Sequence, residues 1–277
     1  MQTIAQLLKH GYELLQGTDN PHLEAQLLLA KALACERIQL IAWPDKQVSD
    51  EQVIVFHKLV QRRCQHEPIA YLLEEKEFWS LPFYVNQHVL VPRPETELLV
   101  ETFLQYLPQD ALTVLELGTG SGAIACALAS ERPHWQIIAT DISFEALKVA
   151  KSNSMQLNLP NIQWVHANWF AGLSLPPVAA IISNPPYLSD SDPHLKEDLL
   201  HEPQSALVSG NTGLEAYETI IANALPYLIP GGLLAFEHGA TQSQDIAVLL
   251  AKQGYADIKI LNDLANIPRI TLGFAPK

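Results

Sequence analysis

The chain is predicted to be an α/β protein, a doubly wound and mostly parallel sheet with an antiparallel last strand, preceded by a small N-terminal helical domain. Three observations predict this. From residue 113 onward, apolar runs of strand length alternate with stretches of helical period, the pattern of a parallel sheet covered on both faces. The last two apolar runs, 258–261 and 270–273, have no helical stretch between them, so the final strand inserts antiparallel. Before residue 65 the apolar residues recur at helical spacing. The 277 residues, 48% hydrophobic and 17% charged, suffice for one substantial core and a small accessory domain.

In chain order, residues 1–75 read as a helical bundle whose apolar faces carry Ile4, Leu7, Leu8, Gly11, Leu14 and Leu15, then Leu23, Leu27 and Leu28, then Val53, Phe56, Leu59 and Val60. Asp19 or Asn20, and Ser49, are the candidate N-caps between helices. Residues 76–94 read as a β-hairpin linker with strands 78–85 and 88–91 joined at Asn86-Gln87. Pro92-Arg-Pro94 cannot continue a strand, and Glu95, Thr96 and Glu97 open a helix carrying Leu98, Leu99, Val100, Phe103 and Leu104. The main domain, 95–277, follows with strand 113–117, a helix after Gly122, strand 136–141, helix 144–153, strands 162–165 and 178–183, helix 215–228, strand 233–237 and helix 242–253.

The formal net charge of -13 argues against a broad basic surface for phosphates, so no direct nucleic-acid partner is expected. Cys35, Cys64 and Cys126 are far apart and odd in number, which suggests neither a disulfide framework nor a metal cluster. No apolar run approaches the ~20 residues that span a bilayer. The start, Met1-Gln-Thr-Ile-Ala-Gln6, lacks a charged segment before an apolar one and reads as a mature cytoplasmic N-terminus.

Two segments carry chemistry. In Val114-Leu-Glu-Leu-Gly-Thr-Gly-Ser-Gly122 an apolar strand runs into a glycine-rich turn that opens a helix. Gly118, Thr119, Gly120, Ser121 and Gly122 let backbone amides approach a pyrophosphate or a carboxylate at a helix N-terminus. Asp141 ends the next strand at the spacing of a ribose ligand. Because Gly118, Gly120 and Ala123 also satisfy the dinucleotide pattern, a nicotinamide oxidoreductase stays open at this point.

The second segment, Ser183-Asn-Pro-Pro-Tyr187, follows an apolar strand that would be the fourth parallel one. The Asn184 side-chain oxygen accepts from an NH2 group, Pro185 and Pro186 remove backbone donors and stiffen the loop, and Tyr187 offers a flat face to a planar amide or base. The pattern selects a planar amino group, with the Asn184 oxygen and the Pro185 carbonyl taking its two N–H bonds. A nicotinamide oxidoreductase leaves this segment unexplained.

Glu116-x-Gly118-x-Gly120-x-Gly122 resembles motif I of class I (Rossmann-like) methyltransferases, and Asn184 to Tyr187 resembles motif IV of enzymes that methylate planar nitrogens. Glu67-Pro-Ile-Ala-Tyr71, Glu77-Phe-Trp79, Val91-Pro-Arg-Pro-Glu-Thr-Glu97, Asn168-Trp-Phe170, His201-Glu-Pro203, the stretch from Pro230 to Gly239 and Arg269-Ile-Thr-Leu-Gly273 are similar to the release factor glutamine N5-methyltransferase family over nearly the whole chain. The resemblance implies S-adenosylmethionine as cofactor (product S-adenosylhomocysteine) with no metal. It implies cofactor contacts from Gly118 to Gly122, Asp141, Trp169 and Asn184, and substrate contacts from Asn184 to Tyr187. It also implies a peptide chain release factor as partner of a cytoplasmic monomer, docked on the helical domain. The chain departs from the family at Glu74, at Asn168, where an acid commonly precedes the Trp, and at Asn266-Ile-Pro268. Arg93, Glu95 and Glu97 read equally as a closing segment or as a helix start. The alternative activity is DNA adenine-N6 methylation, which predicts a basic groove. A non-catalytic binding module is a further alternative, opposed by intact Asp141 and Asn184.

Overall fold

In the computed structural model, residues 2–195 and 199–277 are described. They divide into two compact units, one of residues 2–75 with 199–201 and one of residues 76–195 with 202–277.

The first unit contains α1 (Ile4–Leu14), α2 (Pro21–Leu33), α3 (Arg37–Ala42), α4 (Asp50–Cys64) and α5 (Ile69–Leu73), with β1 (Gln2–Thr3) paired to β2 (Gln47–Val48). Its core gathers Ile4, Leu7, Leu28, Leu29, Phe56 and Val60. A Cβ on Gly11 would meet Phe56 at 2.9 Å and Ala25 at 3.1 Å, which is why a glycine stands on the apolar face where α1 crosses α2 and α4. Of the two candidate caps before α2, Asn20 accepts from the Leu23 amide and Pro21 opens the helix. Ser49 caps α4 in a capping box with Gln52.

The second unit begins with an antiparallel pair, β3 (Lys76–Phe78) and β4 (Leu81–Phe83). This corrects the hairpin expected at 78–85 and 88–91. The turn is Trp79-Ser80, both left-handed at φ 53° and 57°, a geometry usually given to Asn-Gly. It is held because Glu97 accepts from the Trp79 amide at 2.7 Å and Glu131 from the indole at 2.9 Å. Asn86 makes a local turn instead, its side chain accepting from the His88 amide.

A short 3-10 turn, Pro94–Thr96, leads into α6 (Glu97–Tyr106). Then come β5 (Thr113–Leu117), α7 (Ala123–Glu131), β6 (Gln136–Asp141), α8 (Phe144–Gln156), β7 (Ile162–His166), β8 (Val178–Ser183), α9 (Glu215–Ala224), β9 (Leu228–Glu237), α10 (Ser243–Lys252), β10 (Ala256–Asn262) and β11 (Pro268–Phe274). Helix α9 is shorter than the 215–228 the sequence predicts. It ends at Ala224, and Pro226 sits in a 3-10 turn, since proline lacks the donor a further α-turn needs. Strand β9 starts five residues earlier than expected, because its register with β8 jumps from Leu228 to Leu233 while β8 advances from Val178 to Ala180, absorbing Pro230-Gly-Gly232.

The sheet order is β10-β11-β9-β8-β5-β6-β7, with β11 antiparallel to both neighbours and β9, β8, β5, β6 and β7 mutually parallel. Chain order reverses at β5, which has β6 on one side and β8 on the other, so a crevice opens at their carboxyl ends. Beneath it one core cluster joins Leu115, Leu117, Ile181, Tyr217, Leu234 and Phe236. Among the described residues no helix is long and apolar enough to cross a membrane.

Candidate active site

Leu117 pairs with Ser183 at the carboxyl ends of β5 and β8, and the Ser183 hydroxyl donates to the Leu117 carbonyl at 2.7 Å. The glycine turn and the Asn184 loop therefore leave the sheet side by side. Gly118, Gly120 and Gly122 have φ of 75°, 55° and 81°, values that favour glycine. The Gly118 and Thr119 amides donate to the Thr140 carbonyl, both at 2.9 Å, which ties the turn to β6.

Asp141 receives the Gly120 amide on Oδ2 at 2.9 Å and the Ser143 amide on Oδ1 at 2.8 Å. Each oxygen keeps acceptor capacity for a hydroxyl. Burial raises its pKa, and the two amides oppose the rise by stabilising the carboxylate.

A cavity of about 320 Å³ lies over these strand ends. Of the sequence-predicted residues it is lined by Gly118, Gly120, Asp141, Trp169, Asn184 and Pro186. Thr119 and Ser121 line an adjoining space of about 50 Å³ with Thr96, Arg93 and Asn184. Gly122 lies outside both linings. It is the N-cap of α7, where a Cβ would sit 3.0 Å from Ala150 and from the Trp164 ring. Pro185 is buried and Tyr187 half-buried, both also outside the linings. Tyr187 packs against the core, with its carbonyl accepting from Gln242 at 2.9 Å; burial pushes its phenol up to about 12. Trp169 is left-handed at φ 50°, and exposed Asn168 lines the cavity beside it.

Several residues of the site were missed by sequence reasoning. His88, Val89 and Leu90 line the cavity from the linker, as do Pro203, Ala206 and Val208 from the loop after β8. Asn184 Nδ2 donates to the Thr96 hydroxyl at 3.3 Å. Glu237 ends β9 with 3% exposure. Burial pushes it up to about 7, against hydrogen bonding from Thr96, the charge of Arg269 and hydrogen bonding from Asn184. An acid closing an apolar strand, as Asp141 does, was the available signal. Buried Asn153 on α8 bridges the Tyr84 backbone and the Ser121 carbonyl, and nothing in its helical context marked it. Arg93 pairs with Glu202, which also accepts from the Val91 amide at 2.9 Å. Glu116, under the turn, accepts from Thr119 at 2.7 Å and is pushed up to about 8 by burial.

This site is of small-molecule size, with an acceptor pair for vicinal hydroxyls, an aromatic wall and a close-lying glycine turn at a helix N-terminus. The Gly118, Thr119, Gly120 and Gly122 amides already donate to Thr140, Asp141 and Thr119, so the turn offers close backbone approach rather than the free donors the sequence suggests. Those features suit a nucleoside with a charged tail. Among the described residues no group of three His, Cys, Asp or Glu side chains is placed to hold a metal ion.

Comparison with known proteins gives the family. A family model described as PrmC N-terminal domain matches residues 6–73, and one described as methyltransferase small domain matches residues 94–214. The structure of a methyltransferase from Pyrococcus furiosus is similar at TM-score 0.55 and 20% identity, covering 73% of this chain and 92% of that one. That likeness concerns the fold alone. The release factor glutamine methyltransferase of Coxiella burnetii is 46% identical over 90% of both chains. That of Pseudomonas aeruginosa is 44% identical over 99% of both, and that of Escherichia coli 39% identical over 96% of both. Identity of this order along the full length of its relatives means that the chain belongs to the release factor glutamine methyltransferase family.

Proposed function

We propose that the protein transfers a methyl group from S-adenosylmethionine to the side-chain amide nitrogen (N5) of a glutamine in a peptide chain release factor. The observation that carries the reading is the single cavity bordered by Gly118, Asp141 and Asn184. Gly118 to Gly122, Asp141, Trp169 and Asn184 would hold the cofactor, Asp141 at the ribose hydroxyls. When bound, S-adenosylmethionine supplies an electrophilic methyl on its sulfonium.

With Asn184 Nδ2 engaged by Thr96, its acceptor is Oδ1. That oxygen takes one N–H of the glutamine amide and the Pro185 carbonyl takes the other, which aims the nitrogen lone pair elsewhere. An amide nitrogen is a weak nucleophile, so positioning contributes most of the acceleration, and the two acceptors stabilise the positive charge that develops on nitrogen. No general base is required before attack: the thioether S-adenosylhomocysteine would be the leaving group, and the methylated nitrogen, by then strongly acidic, loses one proton to solvent afterwards. Residues 1–75 dock the release factor, 76–94 link, and 95–277 carry the chemistry, in a cytoplasmic monomer that uses no metal and binds no nucleic acid directly.

Incubation with labelled S-adenosylmethionine and release factors, followed by peptide mass mapping, tests the reading: label on a release-factor glutamine supports it, and label in DNA with none in protein overturns it. Asn184→Ala is expected to lower kcat by about 10²–10³, far more than it weakens cofactor binding. Asp141→Ala is expected to weaken cofactor binding by about 10–100-fold. Equal losses in both quantities for Asn184→Ala would discredit its assignment.

A further inference from the structure

A carboxamide presents an oxygen on one side and an NH2 on the other, and a half-turn about its last torsion exchanges them. The function proposed above needs the oxygen of Asn184 to face the substrate NH2; with the amide reversed, two donors would confront each other. The free amide has no intrinsic preference strong enough to secure this, so its other side must be held.

One acceptor engages it and a second lies close by. Thr96, 5% exposed, receives Asn184 Nδ2 at 3.3 Å. Glu237 lies beside both, with Oε2 lacking any partner. Register explains the proximity. Ser183 pairs with Phe236 in the parallel β8–β9 ladder, so Asn184 and Glu237 are the next residues at adjacent strand ends. The Tyr217 hydroxyl fixes the Glu237 backbone by donating to its carbonyl at 2.9 Å. Since a hydroxyl both accepts and donates, Thr96 Oγ1 accepts from the Asn184 NH2 and keeps its own proton for the neighbouring Glu237 carboxyl, whose pKa it lowers. A reversed Asn184 would turn its oxygen onto this acceptor side.

Of the charged residues flanking Thr96, Arg93 is occupied by Glu202 and Glu97 by the Trp79 amide, while Glu95 is exposed and acts on Glu237 only through its charge. The Arg93-to-Glu97 stretch thus reaches Asn184 through its uncharged member. We propose that Thr96 and Glu237 are positioning residues that lock the Asn184 carboxamide with its oxygen toward the substrate amide; this rests on the function proposed above. The groups facing Glu237 are Arg269, Glu95, Tyr187, Tyr217 and the neighbouring His238. Both tyrosines are held neutral by burial, and burial also lowers the His238 pKa. With Glu237 at about 7, the clamp strengthens as that carboxyl ionises, and turnover rises between about pH 6 and 8.

The test compares wild type, Thr96→Val, Thr96→Ser and Glu237→Gln in two arms. In methyl transfer to a release factor, Thr96→Val and Glu237→Gln are expected to lower kcat about tenfold or more, with cofactor Kd within about twofold. Thr96→Ser is expected to keep most of the rate, and Glu237→Gln to lose the rise of kcat through pH 7. Unchanged kcat in Thr96→Val, or equal losses in Thr96→Val and Thr96→Ser, overturns the clamp. The second arm needs no turnover. The Asn184 side-chain amide protons, assigned by nuclear magnetic resonance from their disappearance in Asn184→Asp, are expected to be protected from exchange in wild type and Thr96→Ser and exposed in Thr96→Val. Equal exchange rates in wild type and Thr96→Val overturn the clamp. Absence of wild-type transfer to any release-factor glutamine sinks the functional reading instead, and the exchange rates then decide the clamp alone.

Discussion

A methyl group added to Gly213 would collide with the Tyr187 carbonyl oxygen, at a backbone φ of 78°. Gly213→Ala is therefore expected to cost about 2–4 kcal/mol from left-handed strain and overpacking, read from urea unfolding. Its kcat should fall as well, because the displaced carbonyl belongs to the loop that carries Asn184. Gly118, Gly120, Asp141 and Asn184 were legible in the sequence since each follows an apolar strand end, where local pattern and chemistry coincide. Asn153 and Glu202 were not: their partners lie 69 and 111 residues away for Tyr84 and Val91, and only the fold brings them together. Thr96 is hidden differently: it lies within a charged stretch that reads as a helix start, and only the fold brings its hydroxyl to Asn184.

Helices were readable where capping chemistry and apolar period agree. The two candidate caps of α2 are separated by the bond from the Leu23 amide to Asn20. Asn20→Ala should accordingly lose about 1 kcal/mol of stability in the N-terminal unit, and Asp19→Ala less than about 0.5 kcal/mol, in thermal or urea unfolding. The parallel strands were readable for a related reason, because strands covered on both faces are apolar throughout. The β3–β4 hairpin was misplaced because its turn, Trp79-Ser80, carries no turn signal and depends on Glu97 and Glu131 from two later helices. The bulged start of β9 was missed for the opposite reason, since Pro230-Gly-Gly232 looks like a strand boundary and lies within one.

Two buried acids of the second unit have their pKa raised by burial, Glu116 to about 8 and Glu237 to about 7, against an ordinary value of 4.5. Both bind a proton more tightly folded than unfolded. Their contribution to stability is therefore complete below about pH 4.5 and is lost as pH rises toward 7 for Glu237 and 8 for Glu116, at up to about 1.4 kcal/mol per pH unit for each group. Glu116→Gln, measured as the urea midpoint from pH 5 to 9, should flatten the alkaline fall. An unchanged slope would show that Glu116 is ionised throughout. The net charge of -13, read first as evidence against a phosphate-binding surface, adds self-repulsion over the same range.

Level endings of β5, β8 and β9 set Leu117 against Ser183 and Ser183 against Phe236. Alternation along a strand has period two, so one residue inserted anywhere in β8 would carry Asn184 to the other side of the pleat while leaving the strand as apolar as before. Length is thus fixed in β8 by chemistry at its tip. Strand β9 already accommodates surplus residues at its far end, where Ile229 to Gly232 loop out of register, and additions there leave Glu237 undisturbed. In this family, drift in length should be tolerated ahead of β9 and purged within β8.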